Sequence, residues 1–192
     1  MYIIFYGPEG SGKSTQAKML AKKLKLPYLG SGDLVRKYAA EDKGIMGNVC
    51  REALFLGHYV PDSEMYVLWK HRLKQSDVQN GWVLDGFPRN INQAEFLDDK
   101  LDKYGKKINF VFYLKVSGQE SIKRLLKRGR HNPDGILHDS KEKVKERLKI
   151  YNESETEVLE FYKKNNLLVE INGERSIEEI FKDITNNIKT FK

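Results

Sequence analysis

The chain has 192 residues, 40% hydrophobic and 32% charged, which gives it the apolar content of a folded domain and excludes a disordered or collagen-like protein. That length suits one core domain with small excursions, and the single Cys50 excludes a disulfide framework or a thiolate zinc site, which fits a reducing, cytoplasmic setting. The net charge of +7 favours anionic partners: nucleic acid, a membrane surface or phosphorylated small molecules.

The first apolar run, Tyr2 to Tyr6, predicts a strand; it is too short to cross a membrane, and no longer run follows it. A glycine-rich turn comes next, then a helical pattern through Met19, Leu20, Leu24 and Leu26. Pro27 to Leu29 is a weaker strand. Residues 31–60 read as a mostly helical excursion that closes at Val60-Pro61-Asp62, where Pro61 ends one element and Asp62 is placed to cap the next helix. Further strands are predicted at Trp82 to Leu84, Phe110 to Leu114 and Leu167 to Ile171. Basic residues gather at Lys115, Lys123, Arg124, Lys127, Arg128 and Arg130, against the single acid Glu120. Residues 130–139 form a second excursion, in which Asn132-Pro133-Asp134-Gly135 predicts a short, exposed, hairpin-like loop. Ile177, Ile180, Phe181, Ile184, Ile188 and Phe191 make a final helical stripe. Apolar strands alternating with helices predict an α/β fold with a parallel sheet flanked by helices on both faces.

Gly7-Pro8-Glu9-Gly10-Ser11-Gly12-Lys13-Ser14 satisfies G-x-x-x-x-G-K-[ST] between an apolar strand and a helix, the context that a phosphate-binding loop requires. Glycines let successive N–H groups face one anion, the helix N-terminus adds positive potential, Lys13 can reach the outer phosphates and Ser14 can offer a hydroxyl to Mg²⁺. The rival reading is a capped glycine turn. Asp85-Gly86-Phe87-Pro88-Arg89 places a carboxylate at the C-terminal end of an apolar strand, where open α/β sheets bind ligands. Asp85 can hold Mg²⁺ directly or through water, and Arg89 offers a planar fork for a phosphate. An Asp85–Arg89 ion pair is the plainer alternative.

Gly7 to Thr15, Ser31 to Arg36, Gly57 to Asp62, Asp85 to Arg89 and Gln93 together resemble the successive motifs of adenylate kinases, in order and nearly in spacing, over essentially the whole chain. D-G-F-P-R with glutamine four residues after the arginine is the most specific of them, and marks the nucleoside monophosphate kinases. The resemblance implies a P-loop NTPase-type core (1–30, 61–128 and 140–192), a helical flap for the monophosphate at 31–60 and a short lid at 129–139. It implies ATP binding by Gly10, Ser11, Gly12, Lys13, Ser14, Thr15, Arg124, Arg128 and Arg175. AMP binding falls to Ser31, Arg36, His58, Tyr59, Val60, Gly86, Phe87, Pro88, Arg89, Gln93, Arg130 and Arg147. Lys13, Arg89, Arg124, Arg128, Arg130 and Arg147 would surround the transferring phosphoryl group, with Mg²⁺ as cofactor at Ser14 and Asp85. A monomer acting on ATP and AMP, with no nucleic acid or membrane partner, is expected.

Plainer readings stand beside several of these. Arg36 can pair with Asp33, Arg124 with Glu120, and Gln93 can be an exposed helix residue. Ser31 stands where adenylate kinases usually carry threonine, while Asn90 also occurs in pyrimidine kinases, so a UMP/CMP kinase is the alternative acceptor assignment. The lid departs furthest from the family pattern: Ile136 occupies the usual arginine place, His138-Asp139 replaces the acidic pair, and Arg130 is assigned the arginine's role. Long-lid relatives with zinc use four ligands, mainly cysteines; this lid has no cysteine, so His131 and His138 are expected to be solvated and no zinc is expected there. A non-catalytic basic nucleotide- or RNA-binding protein is the reading from another class.

Overall fold

The computed structural model describes residues 1–131, 135 and 139–189; Asn132, Pro133, Asp134, Ile136, His138 and Phe191 lie outside these, and with them the hairpin-like turn and the two lid departures. Five strands, β1 (Tyr2–Tyr6), β2 (Tyr28–Gly30), β3 (Trp82–Asp85), β4 (Phe110–Lys115) and β5 (Leu168–Asn172), form one parallel sheet in the order β2-β3-β1-β4-β5. Every predicted strand is present, with small shifts at the ends. Pro27 has no N–H to give and contributes only its carbonyl, which accepts from Val83 N–H at 2.9 Å, so β2 starts one residue later than expected. Leu167 does the same at the entrance to β5, accepting from Val111 N–H at 2.8 Å.

Alternation along β1 divides the core. Ile3 and Phe5 face α1 (Lys13–Leu24) and α8 (Ile177–Lys189) through Leu20, Ala17 and Ile184, while Ile4 and Tyr6 face the opposite layer. That second layer comprises α2 (Ser31–Glu41), α3 (Ile45–Leu56), α4 (Asp62–Arg72), α5 (Ile91–Asp102) and α7 (Lys141–Lys164), built around the fully buried Trp69 and Tyr162. Burial on both faces explains why the strands read as near-continuous apolar runs. Between β4 and α7, α6 (Gly118–Arg128) starts at Ser117, whose hydroxyl accepts from Glu120 N–H, and packs Leu125 against Val144 and Leu148 of α7. Among the described residues no helix is long and apolar enough to cross a membrane.

One local expectation is corrected. Pro61, not Asp62, occupies the cap position of α4 and has no side-chain acceptor, so no side chain caps that helix; Asp62 is its first residue, and its carboxylate accepts from Asn90 Nδ2 at 2.8 Å and Gln93 Nε2 at 2.6 Å.

Candidate active site

The phosphate loop turns from β1 into α1 on glycines that nothing else can replace. Gly7 has φ of +136° and Gly10 of +85°, and a Cβ on either would lie 2.6 Å from the Leu114 carbonyl oxygen or 2.7 Å from that of Ser121. The loop therefore lies directly against the end of β4 and against α6, the helix that carries Arg124 and Arg128. Lys13, the first residue of α1, folds back to donate to the Pro8 carbonyl at 2.7 Å. Desolvation holds its pKa below that of an ordinary lysine, against the opposing pull of Asp85 and Glu9.

Ser14 donates to Asp85 Oδ2 at 2.5 Å, and the Tyr28 hydroxyl donates to the same oxygen at 2.9 Å. The expected meeting of Ser14 and Asp85 is thus realised, and the rival Asp85–Arg89 pair is not the arrangement found: Arg89 Nε donates to the Gly86 carbonyl at 3.0 Å and its guanidinium lies over the Tyr59 ring at 3.6 Å. Two oxygens of this kind suit Mg²⁺, which keeps much of its shell as water and substrate phosphate.

A cavity of about 430 Å³ over the loop is lined by Gly10, Gly12, Lys13, Ser14, Thr15, Asp85, Arg89, Arg124, Arg128 and Arg130. Ser11 is buried beneath it, offering backbone rather than hydroxyl. Arg124 is held by Glu120 at 2.8 Å and the Gly173 carbonyl at 2.9 Å, so the expected i, i+4 pair is present and still leaves Arg124 on the cavity wall. Arg128 makes a bidentate pair with Asp139, at 2.8 and 2.9 Å. Asp139 also binds Arg147 Nη2 at 3.1 Å and the Arg130 N–H at 3.1 Å. Arg175 pairs with Asp183 of α8 and does not line the cavity.

A second cavity adjoins the first, lined by Ser31, Arg36, His58, Tyr59, Val60, Phe87, Arg89, Gln93 and Arg130. It brings together most of the residues expected around the monophosphate; Gly86 and Pro88 line a neighbouring cleft with Arg89 and Gln93. The cavity itself measures about 80 Å³ and the adjoining cleft about 340 Å³. Arg36 forms its exposed pair with Asp33 at 2.6 Å and still reaches the cavity wall. Gln93 is 3% exposed, not a surface residue: its Oε1 accepts from Arg89 N–H at 2.8 Å and its Nε2 donates to Asp62. One amide hydrogen and one oxygen lone pair remain for a base edge.

Three participants escaped the sequence reading. Glu9, within the phosphate loop, accepts from Arg147 Nε at 3.0 Å and from the Tyr59 hydroxyl at 3.4 Å. Tyr28 braces Asp85 from β2, and the Tyr59 ring, not only its backbone, supports Arg89. Only Glu9 carried a signal, as an acid in the middle of a phosphate loop; the other two contacts are set by strand order and chain crossing.

A parallel sheet ending in a glycine phosphate loop, crowned by arginines from three further elements, is the frame of a P-loop nucleotide kinase. The family model described as adenylate kinase matches residues 5–167. Adenylate kinase 1 of Nostoc sp. is 36% identical over 178 residues, covering 93% of each chain; adenylate kinase of Methanocella arvoryzae is 37% identical over 209 residues, 96% of each; and adenylate kinase of Leptospira biflexa is 37% identical over 186 residues, 97% of this chain and 98% of that one. The chain belongs to the adenylate kinase family, and is a nucleoside monophosphate kinase.

Proposed function

We propose that the enzyme transfers the γ-phosphoryl group of ATP reversibly to AMP, giving two ADP, with Mg²⁺ as cofactor. The observation that carries this reading is that the two cavities share walls: Gly32, Arg36, Arg89 and Arg130 line both, so a donor phosphate over Lys13 and an acceptor phosphate beside Arg89 would meet across a cationic boundary. Such a boundary suits in-line displacement, in which positioning and charge stabilisation do most of the work.

In this reading the loop N–H groups and Lys13 hold the outer donor phosphates, and Arg124 and Arg128 approach from α6. Mg²⁺, when bound beside Ser14 and Asp85, would neutralise charge on the donor phosphates. Arg36 and Arg89 grip the acceptor phosphate, Arg130 lines both cavities, and Arg147 backs their shared wall through its pair with Glu9. No side-chain base is needed, since an acceptor phosphate near pH 7 is already ionised. Gln93 supplies the donor and acceptor that an adenine edge requires. A flap at 31–60 and a lid at 129–139 closing together would exclude water as a rival acceptor. A monomer is the expectation carried over from the family resemblance, and the lone buried Cys50 suits a cytoplasmic enzyme.

The test is ADP formation with Mg-ATP and AMP, CMP, UMP, GMP or dTMP in parallel, beside a control without acceptor. A strong preference for AMP is expected. Preference for CMP or UMP would overturn the acceptor assignment, and nucleic-acid binding without turnover would overturn the enzyme mechanism.

A further inference from the structure

A phosphate site does not ordinarily benefit from a carboxylate in its centre. Glu9 nevertheless lines both the donor and the acceptor cavity. Its partner Arg147 is 4% exposed and Glu9 itself 23%, so the pair is largely withdrawn from water; Arg147 also pairs with Asp139 at 3.1 Å, but Asp139 lines neither cavity, which leaves Glu9 as the carboxylate that an arriving phosphate would displace. Through the Tyr59 hydroxyl it also reaches the ring on which Arg89 lies. One carboxylate thus ties the phosphate loop to α7 and to the segment following α3. Building on the acceptor reading above, we propose that Glu9 is an internal stand-in for the acceptor phosphate: it neutralises Arg147 and steadies Arg89 through Tyr59 while the site is empty, and yields Arg147 when a phosphate arrives.

The electrostatics agree. Burial pushes the Glu9 pKa up, but Arg147, Arg89, Lys13 and Arg128 outweigh it and hold the group below the ordinary glutamate value. A phosphate monoester brings more charge than a carboxylate and three terminal oxygens, so it can take over these cations by exchange rather than by entering an unbalanced cluster. The arrangement keeps like charges from repelling in the empty site and weakens the hold on each phosphate, which favours release.

Calorimetric titration of AMP, and separately of inorganic phosphate, into wild type, Glu9→Gln and Glu9→Ala tests the proposal. Both variants are expected to bind both anions about tenfold tighter, since the competing charge is gone. Unchanged or weaker binding of phosphate by folded variants would overturn it and make Glu9 a brace. A crystal structure of the wild type with AMP needs no variant: separation of Glu9 from Arg147 beyond about 4 Å is expected, and a retained ion pair would contradict the proposal. The phosphate arm separates the two claims. Wild type that binds phosphate but not AMP would refute the acceptor reading alone, whereas normal AMP turnover with no tightening in Glu9→Gln would refute the stand-in alone.

Discussion

The two halves of the site are built to different standards of readiness. Over the phosphate loop the space is already about 430 Å³, and its cations are fixed: Arg128 by a bidentate pair, Arg124 by a carboxylate and a carbonyl, Lys13 by its own loop. On the acceptor side the pocket around Ser31, Arg36 and His58 is about 80 Å³ and adjoins a cleft of about 340 Å³ at Gly86, Pro88 and Gln93, and Arg36 rests in a solvent-exposed pair on α2. The donor half stands on strand ends and on helices packed into the core, whereas much of the acceptor half hangs on α2 and the segment after α3. An enzyme that closes over its substrates is served by such asymmetry, because a part that closes cannot be as firmly held as a part that receives.

The most damaging break to this comparison is Lys13→Ala. It should lower kcat by about 1000-fold, with an unchanged far-UV spectrum, because the preformed half loses the charge aimed at the transferring group. Arg89→Ala should cost about 100-fold in kcat/KM for AMP with little change in KM for ATP; an equal loss for both nucleotides in steady-state kinetics would show that Arg89 serves the two halves alike. Gln93→Asn withdraws an amide by one methylene from Asp62 and from the base position, and should reduce the preference for AMP over CMP about tenfold in competition assays. The smallest effect is expected of Asp33→Asn, which frees Arg36 from an exposed pair: melting temperature should stay within about 2 °C and KM for AMP should shift less than about threefold. A larger shift would mean that the resting pair gates the flap.

The donor half was also the more legible half. Its residues lie in one continuous motif bounded by strand and helix, so the local pattern carries both the geometry and the chemistry. Asp85 was legible for a similar reason, since a carboxylate at the end of an apolar strand falls at the ligand edge of a parallel sheet. The acceptor half was read mainly through the family resemblance: nothing local tells that Gln93 is buried, or that Asp62, 31 residues earlier, holds its amide. Glu9, Tyr28 and Asp139 show the limit most plainly. Asp139 binds arginines from α6 and α7, Glu9 binds an arginine 138 residues away, and Tyr28 reaches Asp85 because β2 pairs with β3. Such contacts are decided by topology, and periodicity or spacing does not encode them.

The proposed reaction requires direct transfer from the donor site to an acceptor phosphate across a shared cationic wall. ATP labelled at the γ-phosphorus, incubated with the enzyme, Mg²⁺ and AMP, tests it most directly by where the label appears. Direct transfer puts the label in the β-phosphate of ADP formed from AMP, with little free phosphate; label released chiefly as inorganic phosphate, or left in ATP while AMP is bound, would rule direct transfer out.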